Sequence, residues 1–180
     1  MSLPNRSLPA PAQTPSPLAG LGVAAVVVTA IVGWIALAGS LISETSLFGG
    51  LIMLWYWANV EQLSLRRLPS SLLGALVGIG LAWGIFYGAT NYGPHGLGIA
   101  LFALVIAIYL EITKLFPWFV NPSTMLYSII AAAPLIQLRI DWLEFSLATI
   151  VGALFFGAYV AAVRWLVAKL SAAVRSRRPQ

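Results

Sequence analysis

The chain has 180 residues, of which 60% are hydrophobic and only 8% are charged, and its formal net charge is +5. Soluble domains carry about 25% charged residues, so this composition predicts that lipid covers much of the surface, where helices and closed barrels satisfy every backbone polar group. The absence of cysteine excludes disulfides and thiolate metal sites, and the single histidine, His95, excludes a multi-histidine metal site.

The first 17 residues contain five prolines and one charge, Arg6, and are predicted to form a disordered tail that is not a cleaved signal peptide. Continuous apolar stretches follow, and their lack of alternation favours helices over a β-barrel. Each is close to the length that a membrane-spanning helix needs. The six predicted helices are residues 18–42, 46–62, 69–89, 96–115, 118–137 and 142–169. They predict an all-α, polytopic membrane helix bundle over residues 18–170, followed by a basic cytoplasmic tail at 171–180.

Basic residues are distributed unequally between the two sides of this predicted bundle. With a cytoplasmic N-terminus, nine of the ten basic residues fall on the cytoplasmic side and only Arg139 falls outside. The positive-inside rule predicts this asymmetry, so we expect six crossings with both termini in the cytoplasm. Five of the ten lie in the last 17 positions, which indicates contact with anionic lipid headgroups and not with nucleic acid.

A shift of 72 residues aligns parts of the chain with itself and predicts a repeat of three helices inverted in the membrane. Gly49-Gly50 then falls on Asn121-Pro122. Interrupted helices at corresponding places are the best sequence indication of a transport site, so these two breaks are predicted to face each other and to line a solute path. Its candidate residues are Gly49, Gly50, Asn121, Pro122, Ser123 and Thr124. The alternative is that both pairs simply begin helices, with Asn121 as the N-cap and Pro122 in the first turn.

Two further groups of residues stand out within the predicted helices. Gly80, Gly84 and Gly88 share one face of the third helix, where small residues allow close helix packing in lipid. That face predicts packing within one chain, an oligomer interface or a narrow solute path. Glu111 and Lys114 are three positions apart near the end of the fourth helix. They are predicted to form a structural ion pair, and Glu111 is the best candidate for a proton-coupling carboxylate.

Glycine and aromatic positions carry a resemblance to a known family from residue 71 to about residue 165. The matching stretches are Leu81-Ala-Trp83 with Tyr87-Gly88, Phe119-Val-Asn-Pro-Ser-Thr124 with Ala131-Ala-Ala133, and Trp142 with Ser146-Leu-Ala148 and Gly152-Ala-Leu-Phe-Phe-Gly157. In these positions the chain resembles the domain-of-unknown-function 1097 family of small bacterial inner-membrane proteins. The resemblance implies a multi-pass protein of the bacterial inner membrane, and it brings no substrate or catalytic residue. The proline-rich start and the basic tail depart from the family's short members.

The sequence contains no phosphate-binding loop, nucleophile elbow or paired-carboxylate motif, so no enzymatic activity, cofactor or metal is predicted. The favoured function is a small-solute transporter or channel, because most of the chain is predicted to lie in lipid and two predicted helices are interrupted. Its expected partners are the lipid bilayer, further copies of itself in a homo-oligomer, and an unknown small solute. The alternative is a non-transporting structural or accessory subunit of a larger membrane complex, which the glycine faces would suit equally well.

Overall fold

The structure, a computed structural model, describes residues 17–176, and helices make up 82% of it with no strand in that range. The predicted all-α class is therefore confirmed. Of the two predicted tails, residues 1–16 and 177–180 lie outside the described residues. The helices are α1 (Pro17–Ala38), α2 (Glu44–Asn59), α3 (Leu68–Thr113), α4 (Pro122–Ala131), the single turn α5 (Pro134–Gln137) and α6 (Trp142–Ser176).

Helix α3 is divided by Gly93 into two limbs, residues 68–92 and residues 94–113. Gly93 has φ 59° and ψ −142°, a conformation that suits only glycine, and Pro94 begins the second limb. The backbones of Gly88 and Gly96 touch, although residues eight apart in a straight helix are separated by about 12 Å. The second limb therefore folds back on the first at Gly93. The sequence predicted the two limbs as separate helices, and the reversal takes fewer residues than the gap at 90–95 between those predicted helices.

Several predicted boundaries are wrong in ways that local chemistry explains. The predicted helix 118–137 is broken into α4 and α5, because Asn121 caps a new helix and Pro134 begins another after Ala133. The predicted helix 142–169 is too short, because α6 continues to Ser176 and so includes the first residues of the predicted basic tail at 171–180.

The predicted inverted repeat is not supported by the fold. Gly49 and Gly50 lie inside the unbroken helix α2, which begins at Glu44 and is capped by Ser43. Only Asn121-Pro122 marks a helix start, so the two halves do not share a corresponding break. Both glycines allow close packing instead. A Cβ on Gly50 would lie 2.5 Å from the Trp34 ring, and a Cβ on Gly152 of α6 would lie 2.5 Å from the Gly50 Cα.

The centre of the molecule is built from α2, α4, α6 and the first limb of α3. Helix α4 packs along α3, α2 packs along α6, and α1 covers α6 and α2. Large side chains with at most 1% exposure fill the interior, among them Trp34, Trp57, Met53, Tyr127 and Phe145. This arrangement brings one face of α2 against α6, and the Tyr127 side chain of α4 reaches the same face.

The glycines of α3 divide between the inside and the outside of this bundle. Gly74 contacts Asn121, and Gly78 contacts the backbone of Thr124 and Ser128, so these two set the close approach of α3 and α4. Of the predicted packing face, Gly88 meets Gly96 within α3. A Cβ on Gly80 or Gly84 would have no described atom within 4 Å, so these two positions are open in a single chain.

The outer surface is strongly apolar. Two helices, Leu68–Thr113 and Trp142–Ala173, are long and apolar enough to cross a membrane, and only 11% and 33% of their most apolar windows are buried. A core helix of a soluble protein would be mostly buried. Ile99, Phe102 and Ile112 of the second limb of α3 are each more than 60% exposed. Such a surface is consistent with insertion into a membrane.

Candidate functional site

Helix α2 presents a buried face at helical spacing. Ser43 accepts a hydrogen bond from the backbone N–H of Ser46, and Glu44 in the first turn suits the positive end of the helix dipole. From this start, the buried positions recur every three or four residues at Ser46, Gly49, Gly50, Met53, Tyr56 and Trp57. Three of them carry polar groups that contact neighbouring helices. We call Ser46, the Gly49 carbonyl and Tyr56, with their hydrogen-bond partners, the polar stripe.

The first part of the polar stripe joins α2 to the start of α6 through Glu144. One carboxylate oxygen of Glu144 accepts from the Ser43 backbone N–H at 2.8 Å, and the other accepts from the Ser43 and Ser46 hydroxyls at 2.6 and 2.8 Å. The Glu144 backbone N–H is itself bound by Asp141. Glu144 therefore holds the Glu44 end of α2 against α6 through charge-assisted hydrogen bonds.

The middle of the polar stripe is fully buried where α2, α4 and α6 meet. The Tyr127 hydroxyl donates to the Gly49 carbonyl at 2.6 Å. The Thr149 hydroxyl, which donates to the Phe145 carbonyl at 2.9 Å, lies nearby. Tyr127 and Thr149 are both 0% exposed. A Cβ on Gly49 would lie 2.7 Å from the Thr149 hydroxyl, so glycine is what lets the two helices bring these groups together. The helix carbonyl thus gains a second hydrogen bond beyond those of its own helix.

The last part of the polar stripe surrounds Tyr56, two turns further along α2. The Tyr56 hydroxyl donates to Glu61 at 3.3 Å and interacts with the Ser123 backbone amide, while the charge of Glu111 acts on it from the second limb of α3. Tyr56 is 1% exposed and Ser123 is 0% exposed. The Ser123 hydroxyl is buried and has no hydrogen-bond partner among residues 17–176. Buried polar atoms nearly always have a hydrogen-bond partner. The Ser123 hydroxyl is therefore in a position to hydrogen-bond a polar solute.

The residues of the predicted solute path do not come together as one site. Asn121 lies against α3, where its amide donates to the Ser70 carbonyl at 2.8 Å and its oxygen accepts from Ser123. Thr124 completes the capping box with Asn121, and Pro122 occupies the first turn. Gly49 faces Tyr127, and Gly50 faces Trp34 and Gly152. Of the predicted set, only Gly49 and Ser123 contact the polar stripe.

The predicted ionisable pair lies at the end of α3. Lys114 and Glu111 form an ion pair three residues apart, and the Lys114 side chain is 57% exposed while that of Glu111 is 20% exposed. Lys114 has φ 55°, a left-handed conformation that ends the helix. The lysine can therefore reach water while most of the Glu111 side chain is shielded from it. The sequence pointed to this pair but not to the electrostatic effect of Glu111 on Tyr56.

Within the described range, no group of three or more histidine, cysteine, aspartate or glutamate residues could hold a metal ion. The polar stripe offers hydroxyls, carbonyls and separated carboxylates instead. Such a set can hydrogen-bond a polar solute or pass a proton.

No family model, curated protein or solved structure matches the chain. The resemblance to the domain-of-unknown-function 1097 family therefore stays a prediction.

Proposed function

We propose that the chain crosses the bacterial inner membrane six times with both termini in the cytoplasm. Support comes from the apolar exposed surface, from the nine-to-one distribution of basic residues, and from the two limbs of α3. Limbs of 25 and 20 residues would measure about 37 and 30 Å, and the hydrocarbon core is about 30 Å thick. In this arrangement the Glu44 end of α2 faces the periplasm and the Asn59 end faces the cytoplasm.

Within this topology, the function that the geometry supports best is a small-solute transporter or channel whose path follows the polar stripe. The observation that carries this proposal is the alignment of Ser46, Gly49 and Tyr56 on one buried face of α2, with Glu144 near one end and Glu61 and Glu111 near the other. Polar and ionisable groups inside a membrane bundle are expensive and usually mark a solute or proton pathway. Here they run along almost the whole of α2.

Packing limits what could pass along the stripe. Between Gly49 and Tyr56 lies about 10 Å of helix, and Met53, which is 1% exposed, fills that interval. Methionine is flexible and can change rotamer within a packed interior. The polar stripe is therefore best suited to a proton or to a solute about the size of water. Proton transport is the first activity to test.

The test is proton flux in vesicles that contain the purified protein and a pH-sensitive dye. Tyr127→Phe removes the central hydroxyl of the stripe, whereas Tyr109→Phe removes a hydroxyl from a side chain that is 59% exposed. We expect the wild type to show a proton flux driven by a membrane potential. The flux should fall about tenfold in Tyr127→Phe, which corresponds to an increase of about 1.4 kcal/mol in the barrier. It should be unchanged in Tyr109→Phe.

Folding must be separated from flux in this comparison. Removing the Tyr127 hydroxyl leaves the Gly49 carbonyl with its helical partner only, so a loss of about 1 kcal/mol of stability is expected. Flux is therefore counted per folded protein, measured by size-exclusion chromatography. Equal flux in Tyr127→Phe and Tyr109→Phe would reject the path, and an inactive wild type would reject proton transport.

A second candidate function is an accessory subunit of a larger membrane complex. The observation that favours it is the open pair Gly80 and Gly84, with Trp83 exposed between them. Small residues four apart on an exposed helix face allow another transmembrane helix to approach closely. Copurification of a different membrane protein, lost in Gly84→Leu, together with no flux from the wild type, would favour this function over transport.

A further inference from the structure

An apolar groove lies on the side of α2 that faces away from the polar stripe. It has a volume of about 450 Å³ and runs between α1, α2 and α6. Val27 and Ile31 of α1, Phe48 and Trp55 of α2, and Phe156 and Val160 of α6 are among the residues that line it. Nearly all of its lining surface is apolar, so its guest is expected to be a hydrocarbon.

The groove has the depth of one bilayer leaflet. Along α2 it extends from Phe48 to Asn59, which is about 16 Å at the rise of an α-helix. One leaflet contributes about 15 Å of the hydrocarbon core. In the proposed topology the groove therefore runs about 16 Å into the membrane from the cytoplasmic end of α2. A partner helix would cross both leaflets, whereas a lipid chain needs only one.

A cation stands at the cytoplasmic end of the groove. The Arg164 side chain is exposed and donates to the Leu63 carbonyl at 3.1 Å, and Leu63 itself lines the groove. Arg164 follows Val160, another lining residue, by about one helical turn. Its guanidinium has donors to spare beyond this single hydrogen bond, and arginine binds phosphate by paired donors.

We propose that this groove binds one acyl chain of an anionic phospholipid, with the lipid phosphate on Arg164. The apolar wall, the one-leaflet depth and the cation at the headgroup end together match such a lipid. The proposal rests on the membrane topology proposed above but not on transport, since the groove and the polar stripe lie on different faces of α2.

The test counts the lipids that remain bound to the protein by native mass spectrometry. Protein is reconstituted with equal amounts of phosphatidylglycerol and phosphatidylcholine and then extracted in mild detergent. Val27→Trp fills the groove from a side chain that is 43% exposed, and Val28→Trp, 57% exposed and outside the lining, is its matched control. Arg164→Gln removes the cation at the end of the groove. Its control is Arg66→Gln, which removes an exposed cation from a different site.

The wild type, Val28→Trp and Arg66→Gln should each retain one phosphatidylglycerol in preference to phosphatidylcholine by about fivefold, the ratio expected for one basic residue near the surface. Val27→Trp should lose the bound lipid, and Arg164→Gln should lose the preference. Retention in Val27→Trp equal to that in Val28→Trp would overturn the groove, and a preserved preference in Arg164→Gln would overturn the phosphate contact.

Two further outcomes are also decisive. If Val27→Trp converts a dimer into a monomer, a second copy of the chain fills the groove and the lipid proposal is wrong. Lipid binding that persists in Tyr127→Phe, with or without proton flux, supports the groove independently of transport, so failure of one proposal is distinguishable from failure of the other.

Discussion

Asn121 occupies the N-cap of α4, and its side chain is fully engaged there. Its oxygen accepts from the Ser123 backbone N–H, and its amide donates to the carbonyls of Ser70 and Pro117 at 2.8 and 3.3 Å. These bonds join α4 to α3 and leave Asn121 no free donor aimed at α2. Asn121, a predicted residue of the solute path, thus links two helices.

Replacing Asn121 by leucine should destabilise the fold without changing flux per folded protein. Loss of the cap costs about 0.5–2 kcal/mol, and the buried Ser70 carbonyl also loses a partner. Asn91→Leu is the matched control, because Asn91 is exposed and bonds only within its own helix, so its effect should stay within about 0.5 kcal/mol. Thermal unfolding in detergent measures both. A folded Asn121→Leu protein without flux would instead return Asn121 to the solute path.

Tyr56, Tyr127 and Thr149 show what the sequence could not reveal about the site. Each is a common residue in an apolar helix, and no local motif sets them apart. Their importance comes from contacts across the fold, such as the one between Tyr127 and Gly49, which are 78 positions apart. The spacing of Ser46, Gly49, Met53 and Tyr56 by three or four residues is visible in the sequence. It becomes informative only once the partners of that face are known.

The first limb of α3 uses glycine in two different ways. Gly74 and Gly78 face α4 and are tightly packed, whereas Gly80 and Gly84 face away from the bundle and are open. Sequence spacing picked out the second pair, because glycines four apart look alike on either face of a helix. The structure assigns close packing within the chain to the first pair and leaves the second pair free for lipid or for another helix.

Gly78→Leu and Gly84→Leu should therefore have different effects. At Gly78 a new side chain would meet Tyr127 and the backbone of Ser128 at 2.9–3.0 Å, so overpacking should cost about 1–3 kcal/mol and lower the thermal midpoint. At Gly84 the midpoint should be unchanged, while a homo-oligomer joined through this face should dissociate to a smaller species. Light scattering in detergent measures the size. An unchanged size in Gly84→Leu would mean that Gly84 faces lipid.

Helix ends were predictable where the chemistry is local. The alternative interpretation of Asn121-Pro122 as a helix start is correct for α4. The gap between the predicted helices 69–89 and 96–115 contains the turn at Gly93-Pro94. The shortness of α4 was not predictable, because apolar composition continues through Ala133 and into α5. Hydropathy reports the solvent around a segment and not the path of its backbone, so it joined α4 and α5 into one predicted span.

At the scale of the whole molecule, α2 separates two kinds of surface. Its buried side carries the polar stripe against α4 and α6, and its other side forms one wall of the apolar groove with α1. The amount of apolar surface was evident from composition alone. Its division into a groove, an open glycine face and a polar interior depends on how the helices pack, which composition does not determine.

The six-crossing topology predicts which loops are reached from each side of the membrane. Because the chain has no native cysteine, single-cysteine variants report position without background. Leu65→Cys lies in the exposed loop before α3, His95→Cys lies just after the Gly93 turn, and Ser171→Cys lies near the end of α6. A membrane-impermeant maleimide should label His95→Cys in intact spheroplasts, and should label Leu65→Cys and Ser171→Cys only in inside-out vesicles. Labelling of Leu65→Cys and His95→Cys from the same side would show that the first limb of α3 does not cross, and the six-crossing topology would then be wrong.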